Sequence, residues 1–382
     1  MAREVPKDPA APMLLVAQSA FNERDGKPVP APARLEILQP VEWGWAKARL
    51  EDPESNVFHK ALPWEGGLLT IGAESAKLKH WTLQGGAWQE ALLYEGSWGG
   101  KFDRLRDVEH ADFDGDGQEE LVLATHDQGV VVYLDRVDGV WKATEMDKRA
   151  DTFVHEVEVG DVDGDGTLEF ATTPSARNQA DTSQPGGVDL YRRIDGAWVR
   201  EEVARWDHSH AKEILMADLD GDGRSELMAV MEAELNPATK AIVTPVEIRR
   251  FQKGPTGWTH STMATISDRQ TRFLVPGDFD HDGRTELVAA TMSAGLFLIE
   301  PPTEGIDGPW SAARFDADSG GFEHAAVGAD LDGDGELELY VAADRQKELR
   351  RYLWNTERGT FDRETIGRFE GRIFTWNLVG SR

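Results

Sequence analysis

The sequence contains no cysteine, which excludes disulfides, thiolate zinc sites, thiol nucleophiles and haem-attachment motifs at once. Cations are scarce: 41 Lys+Arg stand against 69 Asp+Glu, a formal net charge of −28. That balance argues against nucleic acid or an anionic membrane surface as the main partner, because both are recognised by clustered cations. No apolar run approaches the roughly 18 residues of a membrane span, and residues 13–17 are only strand-sized. No long stretch has helical apolar spacing, and GxSxG, HExxH, Walker and dinucleotide-binding patterns are all missing. Residues 1–12, rich in Pro and Ala, show no basic-then-apolar leader and read as a linker. The chain is nevertheless 40% hydrophobic over 382 residues with 13 Trp, ample for a buried core.

What the sequence does have is a repeat. Asp112-Phe-Asp114-Gly-Asp116-Gly-Gln-Glu-Glu120-Leu recurs as DVDGDGTLEF from Asp161, DLDGDGRSEL from Asp218, DFDHDGRTEL from Asp278 and DLDGDGELEL from Asp330. A second marker, an aromatic just after a turn, recurs seven times as Trp45, Trp88, Trp141, Trp198, Trp258, Trp310 and Phe361. Between these markers run short apolar segments separated by Gly/Asp turns, about four strands per repeat, the pattern of a propeller blade. Residues 372–379 read as an inner strand left over at the end, whereas residues 13–17 read as a second strand with no first. Joining the two closes the ring and leaves no sheet edge at the seam. The expected fold is all-β: one seven-bladed β-propeller over residues 13–382, four antiparallel strands per blade, with the C-terminal strand completing the N-terminal blade.

Each acidic loop carries carboxylates at positions 1, 3, 5 and 9 and glycine at position 6. The sets are Asp112, Asp114, Asp116 and Glu120; Asp161, Asp163, Asp165 and Glu169; Asp218, Asp220, Asp222 and Glu226; Asp278, Asp280, Asp282 and Glu286; Asp330, Asp332, Asp334 and Glu338. Hard oxygen ligands in such number suit Ca2+, whereas transition metals favour imidazole or thiolate. An EF-hand is excluded, since position 12 holds Leu123, Thr172, Ala229, Ala289 and Val341 in place of glutamate and the flanks are strands. About five structural Ca2+ are expected.

The loops resemble the FG-GAP (VCBS-type) repeats of integrin-like β-propellers, a likeness carried by the five loops and, through the aromatic marker, by nearly the whole chain. It implies that each loop joins the innermost to the second strand on one face, with ligands bound on the opposite face. Such repeats are common in exported proteins. An extracellular or periplasmic location is therefore expected, where calcium is plentiful.

Six residues before each loop's first Asp stand Arg106, His155, Lys212, Arg272 and His324, and the two loop-less blades offer His59 and Arg372 at comparable places. These are expected to ring the channel mouth and bind an anionic ligand, either an acidic glycan or a protein segment. The longest insertions, residues 174–187 and 232–245, belong to the same face. A second expectation is a polysaccharide lyase or sugar dehydratase with His155, His210 or His324 as base and Arg106, Lys212 or Arg272 as cation, helped by an additional transition metal at the histidines. A third is a non-catalytic protein-interaction scaffold. The chain is expected to be a monomer.

Overall fold

The computed structural model describes residues 11–100, 103–126, 128–177 and 183–381; most of the N-terminal linker expected above lies outside them. Seven antiparallel sheets, the blades, follow one another along the chain. Blades 2 to 7 each contribute four strands in sequence order, with a small extra hairpin, Glu234–Leu235 with Ile242–Thr244, inserted in blade 5. The innermost strands are Arg372–Ser381 for blade 1, then Phe58–Trp64, Leu105–Ala111, Thr152–Gly160, Ala211–Ala217, Thr271–Gly277 and Ala326–Ala329. Each adjoins the next, and the last adjoins the first, so the ring is closed. Among the described residues no helix is long and apolar enough to cross a membrane.

Alternation along the strands builds the core. Second strands lie between blades and are apolar on both faces: Glu120–Thr125, Glu286–Thr291 and Glu338–Ala343 are buried throughout. The repeated aromatic sits at the start of each outermost strand and wedges against the preceding blade. Trp198 of blade 4 packs edge-on at 5.5 Å from Phe113 and 5.5 Å from Tyr133 of blade 3. Trp141 lies 5.7 Å from Trp64, Trp45 lies 5.8 Å from Tyr340, and Phe361 lies 5.8 Å from Phe279. The marker is therefore inter-blade packing.

Blade 1 is assembled from both ends of the chain, as the sequence predicts. The strand Met13–Arg24 pairs antiparallel with Arg372–Ser381 from Met13↔Ser381 to Phe21↔Arg372. Thr375 fastens this seam: Gln18 donates to its Oγ1 at 3.2 Å, while its own N–H and hydroxyl donate to the carboxylate of Asp344 at 2.7 and 2.8 Å.

Burial pushes the Asp344 carboxyl up to about 7, against hydrogen bonds from Thr375 that lower it. A carboxyl raised above its unfolded value of about 3.9 contributes stability fully only below that value, and loses it as pH rises through 7. Asp344→Asn is accordingly expected to be about 2–4 kcal/mol more stable than wild type at pH 8 and equal to it near pH 4. Urea unfolding at the two pH values checks this; a constant difference would contradict it.

Candidate functional site

All five acidic loops connect an innermost strand to the second strand of blades 3 to 7, on one face of the ring. In four of the loops the turn is built by the first Asp, whose two oxygens accept backbone N–H groups three and five residues on; in the fourth loop, among the described residues, only Gly283 donates, to Asp278 Oδ2 at 3.1 Å. In the first loop Gly115 donates to Asp112 Oδ1 at 2.7 Å and Gly117 to Oδ2 at 2.9 Å, and the fifth repeats this from Gly333 and Gly335 to Asp330. This winding puts positions 4 and 6 in the left-handed region, at φ 76° for Gly115 and 86° for Gly117. His281 holds position 4 of the fourth loop at φ 63°, which glycine tolerates better.

The position-9 glutamate is drawn under the loop by a backbone donor: Phe113, Val162, Leu219, Phe279 and Leu331 donate their N–H to Glu120, Glu169, Glu226, Glu286 and Glu338 at 2.9, 2.9, 2.9, 2.8 and 3.2 Å. Carboxylate oxygens of Asp112, Asp114, Asp116 and Glu120 lie within 4.8 Å of one another, as do those of Asp278, Asp280, Asp282 and Glu286. In the second and third loops the converging sets are Asp161, Asp163 and Glu169, and Asp218, Asp220 and Glu226, so Asp165 and Asp222 stand outside them. Burial, with repulsion from neighbouring aspartates, pushes Glu120, Glu169 and Glu286 up to about 7. Asp278 Oδ1 is buried without a hydrogen-bond partner among the described residues. Clustered oxygens with raised proton affinity and an orphaned acceptor fit a hard cation.

In the first, second and fourth loops an arginine meets a single aspartate, Arg193 with Asp114 at 3.5 Å, Arg192 with Asp163 at 3.0 Å and Arg284 with Asp282 at 2.7 Å; in the fifth it reaches the position-9 glutamate as well. The guanidinium of Arg351 reaches Asp332 at 3.2 Å and Glu338 at 3.5 Å, spanning positions 3 and 9 from inside the blade. A further acidic trio, Asp52, Glu54 and Glu90, already holds the Lys79 ammonium at 3.0, 2.7 and 3.1 Å.

On the opposite face the innermost strands begin. Arg106 there lies 3.5 Å from Glu156 and 3.6 Å from Glu323; Lys212 lies 3.3 Å from Glu232; Arg272 hydrogen-bonds Glu323 and lies 3.5 Å from Glu232. Deeper in the channel Lys60 pairs with Asp107 at 2.9 Å and with Glu109. The next residue along three inner strands is acidic, and two of these carboxylates brace neighbouring blades: Asp107 accepts from Val157 N–H at 2.9 Å and Glu213 from Leu274 N–H at 2.8 Å. Burial and mutual repulsion push Glu109, Glu156, Glu158 and Glu213 up. For Glu232 burial acts upward, but Lys212, His210 and Arg272 overcome it and hold the carboxyl down at about 2. The mouth is thus a lattice in which Lys60, Arg106, Lys212 and Arg272 each have a carboxylate beside them, while the surplus carboxyls are pushed toward their neutral form.

Aromatic rings cover this lattice in an arc. Trp376 meets His59 at 4.8 Å and Phe322 at 6.2 Å; His59 lies 6.1 Å from His126, His126 5.1 Å from His155, and His155 5.9 Å from His210. Arg106 lies over Trp376 at 5.7 Å and Arg272 over Phe322 at 4.6 Å. Burial lowers all four histidines, His210 to about 4, so the rings are neutral at physiological pH. Burial also lowers Lys212, to about 8.

Repeated acidic loops on a closed seven-blade ring point to one repeat type, and a family model agrees. Residues 112–172 match the FG-GAP-like repeat. No curated protein matches the chain. Among solved structures it is similar to a candidate 6-phosphogluconolactonase of Bacteroides fragilis, with 10% identity over 99% of this chain and 100% of the other at a TM-score of 0.57. It is also similar to a protein from Lactobacillus plantarum, with 10% identity over 97% and 99% of the two chains at a TM-score of 0.55. These likenesses concern the fold alone. An FG-GAP-like repeat within a propeller marks a ligand- or partner-binding scaffold.

Of the seven side chains expected to ring the mouth, the structure brings together His59, Arg106, His155, Lys212 and Arg272. His324 is turned into the wall between blades 6 and 7, where Nδ1–H donates to Thr291 O at 2.6 Å and Nε2 bonds Ser319 Oγ at 2.8 Å. Arg372 is exposed at the rim and lies over Phe21 and Phe374 at 5.6 and 5.9 Å. The insertion of residues 232–245 does reach this face. With Trp206 and His208 it borders a cavity of about 380 Å3 between blades 4 and 5. His126 and Phe322 belong to the arc but to no repeat position, so the spacing gave no sign of them. Both ring nitrogens of His126 are buried without hydrogen-bond partners among the described residues, and the ring stacks on Phe153 at 4.3 Å.

Proposed function

We propose that this propeller is a calcium-stabilised, extracytoplasmic binding protein that takes an acidic glycan at the channel mouth opposite the acidic loops. The observation that carries this reading is the pairing of Trp376 and Phe322 with Arg106, Arg272 and Glu323. A sugar ring presents an apolar C–H face to an aromatic ring and hydroxyls around its edge, which need donors and acceptors side by side. The mouth supplies both: aromatic faces, guanidinium donors and the carboxylates between them. An anion alone finds no unpaired cation within this lattice, so the hydroxyls matter as much as the charge.

Trp376→Ala is expected to weaken oligosaccharide binding at least tenfold, the equivalent of about 1.4 kcal/mol. Phe322→Ala, which alters a side chain 45% exposed, should do the same without disturbing the fold. Isothermal titration with hexagalacturonate reads both. Unchanged affinity would count against the glycan, as would an acidic peptide bound where no oligosaccharide is.

The acidic loops are the calcium sites in this reading, which suits a compartment rich in calcium. Four loops take the ion tightly and the fifth weakly, because Arg351 already neutralises Asp332 and Glu338. Calorimetric titration should show four tight sites, and Arg351→Gln should convert the fifth. Five equal sites in wild type would overturn this.

A second reading, a lyase or dehydratase, draws on Lys212, lowered to about 8 beside the neutral His155 and His210. Lys212 would then remove a proton next to the uronate carboxyl while Arg106 or Arg272 stabilises the enolate. His324, bonded into the wall, has no part in it. The unpartnered ring of His126, facing His155, is where a transition metal would first be sought. Appearance of an unsaturated uronate product, or a stoichiometric transition metal in the purified protein, would bring this reading forward.

A further inference from the structure

A second cavity lies away from the mouth, at the seam between blades 7 and 1, and it has a different charge. It encloses about 560 Å3 and is lined by five cations, Arg34, Lys47, Arg49, Arg368 and Arg372, against two carboxylates. In a protein of net charge −28 such a concentration runs against the average. Three of the arginines are paired: Arg34 with Glu51 at 3.3 Å, Arg49 with Glu36 at 2.6 Å and Arg368 with Glu348 at 2.9 Å. Arg372 is not. Among the described residues it touches no carboxylate, and its guanidinium rests over Phe21 and Phe374.

Those two phenylalanines continue the aromatic arc outward. Phe21 meets Phe374 at 5.8 Å, Phe374 meets Phe322 at 6.1 Å and Phe322 meets Trp376 at 6.2 Å. Each step is comparable with the spacing of successive sugar rings. The row therefore leads from the neutral, hydroxyl-matching mouth to a cavity with cation excess, and Arg372 stands where the row enters it.

We propose that the seam cavity is an anion subsite, in which Arg372 receives the carboxylate of a uronate-containing oligosaccharide whose other rings lie along Phe374, Phe322 and Trp376. The inference rests on the glycan reading above for the nature of the ligand, and adds the place where its charge is recognised. Arg372 is suited to the task because a planar guanidinium offers a fork of donors to a carboxylate while its face stays on the aromatic rings.

The test compares hexagalacturonate with its fully methyl-esterified form, which keeps the sugar rings and removes the charge, and with a sulfated hexasaccharide. Wild-type protein is expected to bind hexagalacturonate at least tenfold tighter than the ester, with the gap closing as salt is raised. Arg372→Gln is expected to lose that tenfold for hexagalacturonate and nothing for the ester, and Arg372→Lys to regain part of it. A sulfated hexasaccharide bound through Arg372 in preference to the uronate would overturn the carboxylate assignment. Equal binding of acid and ester, or an Arg372→Gln variant with wild-type preference, would overturn the subsite while leaving the mouth reading intact. Loss in Arg372→Gln with none in Trp376→Ala would do the reverse. Failure of all three probes to bind would overturn both.

Discussion

Stripping calcium with EDTA is expected to lower the melting temperature by roughly 10–20 °C, the largest effect available without changing a residue. The five loops hold twenty carboxylates at their ligand positions, all on one face. A site held at a hundred times its dissociation constant contributes about 2.7 kcal/mol, so four or five such sites rival the whole stability of a domain, about 5–15 kcal/mol. Without the ion, Glu120, Glu169 and Glu286 sit near pKa 7 because burial and the neighbouring aspartates disfavour their charge. Readdition of calcium, but not of potassium at equal ionic strength, should restore the transition. A melting curve indifferent to EDTA would sink the structural-calcium reading.

Removing residues 372–382 is expected to abolish cooperative folding. The strand Arg372–Ser381 is the innermost layer of blade 1 and its partner in register is Met13–Arg24, whose first eight residues are buried. Its loss would expose Leu14, Leu15 and Val16, each fully buried side chain worth about 1.5–3 kcal/mol, and would uncover an unpaired apolar edge. It would also strand Asp344, whose carboxylate is satisfied by Thr375. Near-UV circular dichroism and size-exclusion chromatography of the truncated chain should show loss of fixed packing and aggregation. A monomer with a native-like melting transition would contradict the role given to the seam.

Much of this was legible in the sequence because it repeats. Asp112-Phe-Asp114 and its four counterparts fix a loop, and the recurring aromatic fixes the outer strand, so the number of blades could be counted before any strand was placed. The closing strand was legible for a related reason: residues 13–17 and 372–379 each lacked the partner that every other blade possessed. The channel mouth was legible only in part. Counting back from the loops found Arg106, His155, Lys212 and Arg272 because an inner strand keeps its register. The same count placed His324 at the mouth, but its side chain turns to Thr291 and Ser319. Among the partners of the basic side chains Glu232 escaped, because it comes from a connecting segment with no periodic position. His126 and Phe322 escaped for the same reason.

The closure of blade 1 also sets a timetable. Gln18 and Thr375 are 357 residues apart in sequence, yet they share a hydrogen bond. During synthesis at roughly 5–20 residues per second, residues 13–21 emerge long before the strand that covers them and must wait some tens of seconds for it. Throughout that interval a nascent chain offers an apolar, unpaired edge that any neighbouring nascent copy could match. Yield in a cell should therefore respond to chaperone supply and translation speed more than the finished ring's own stability would suggest.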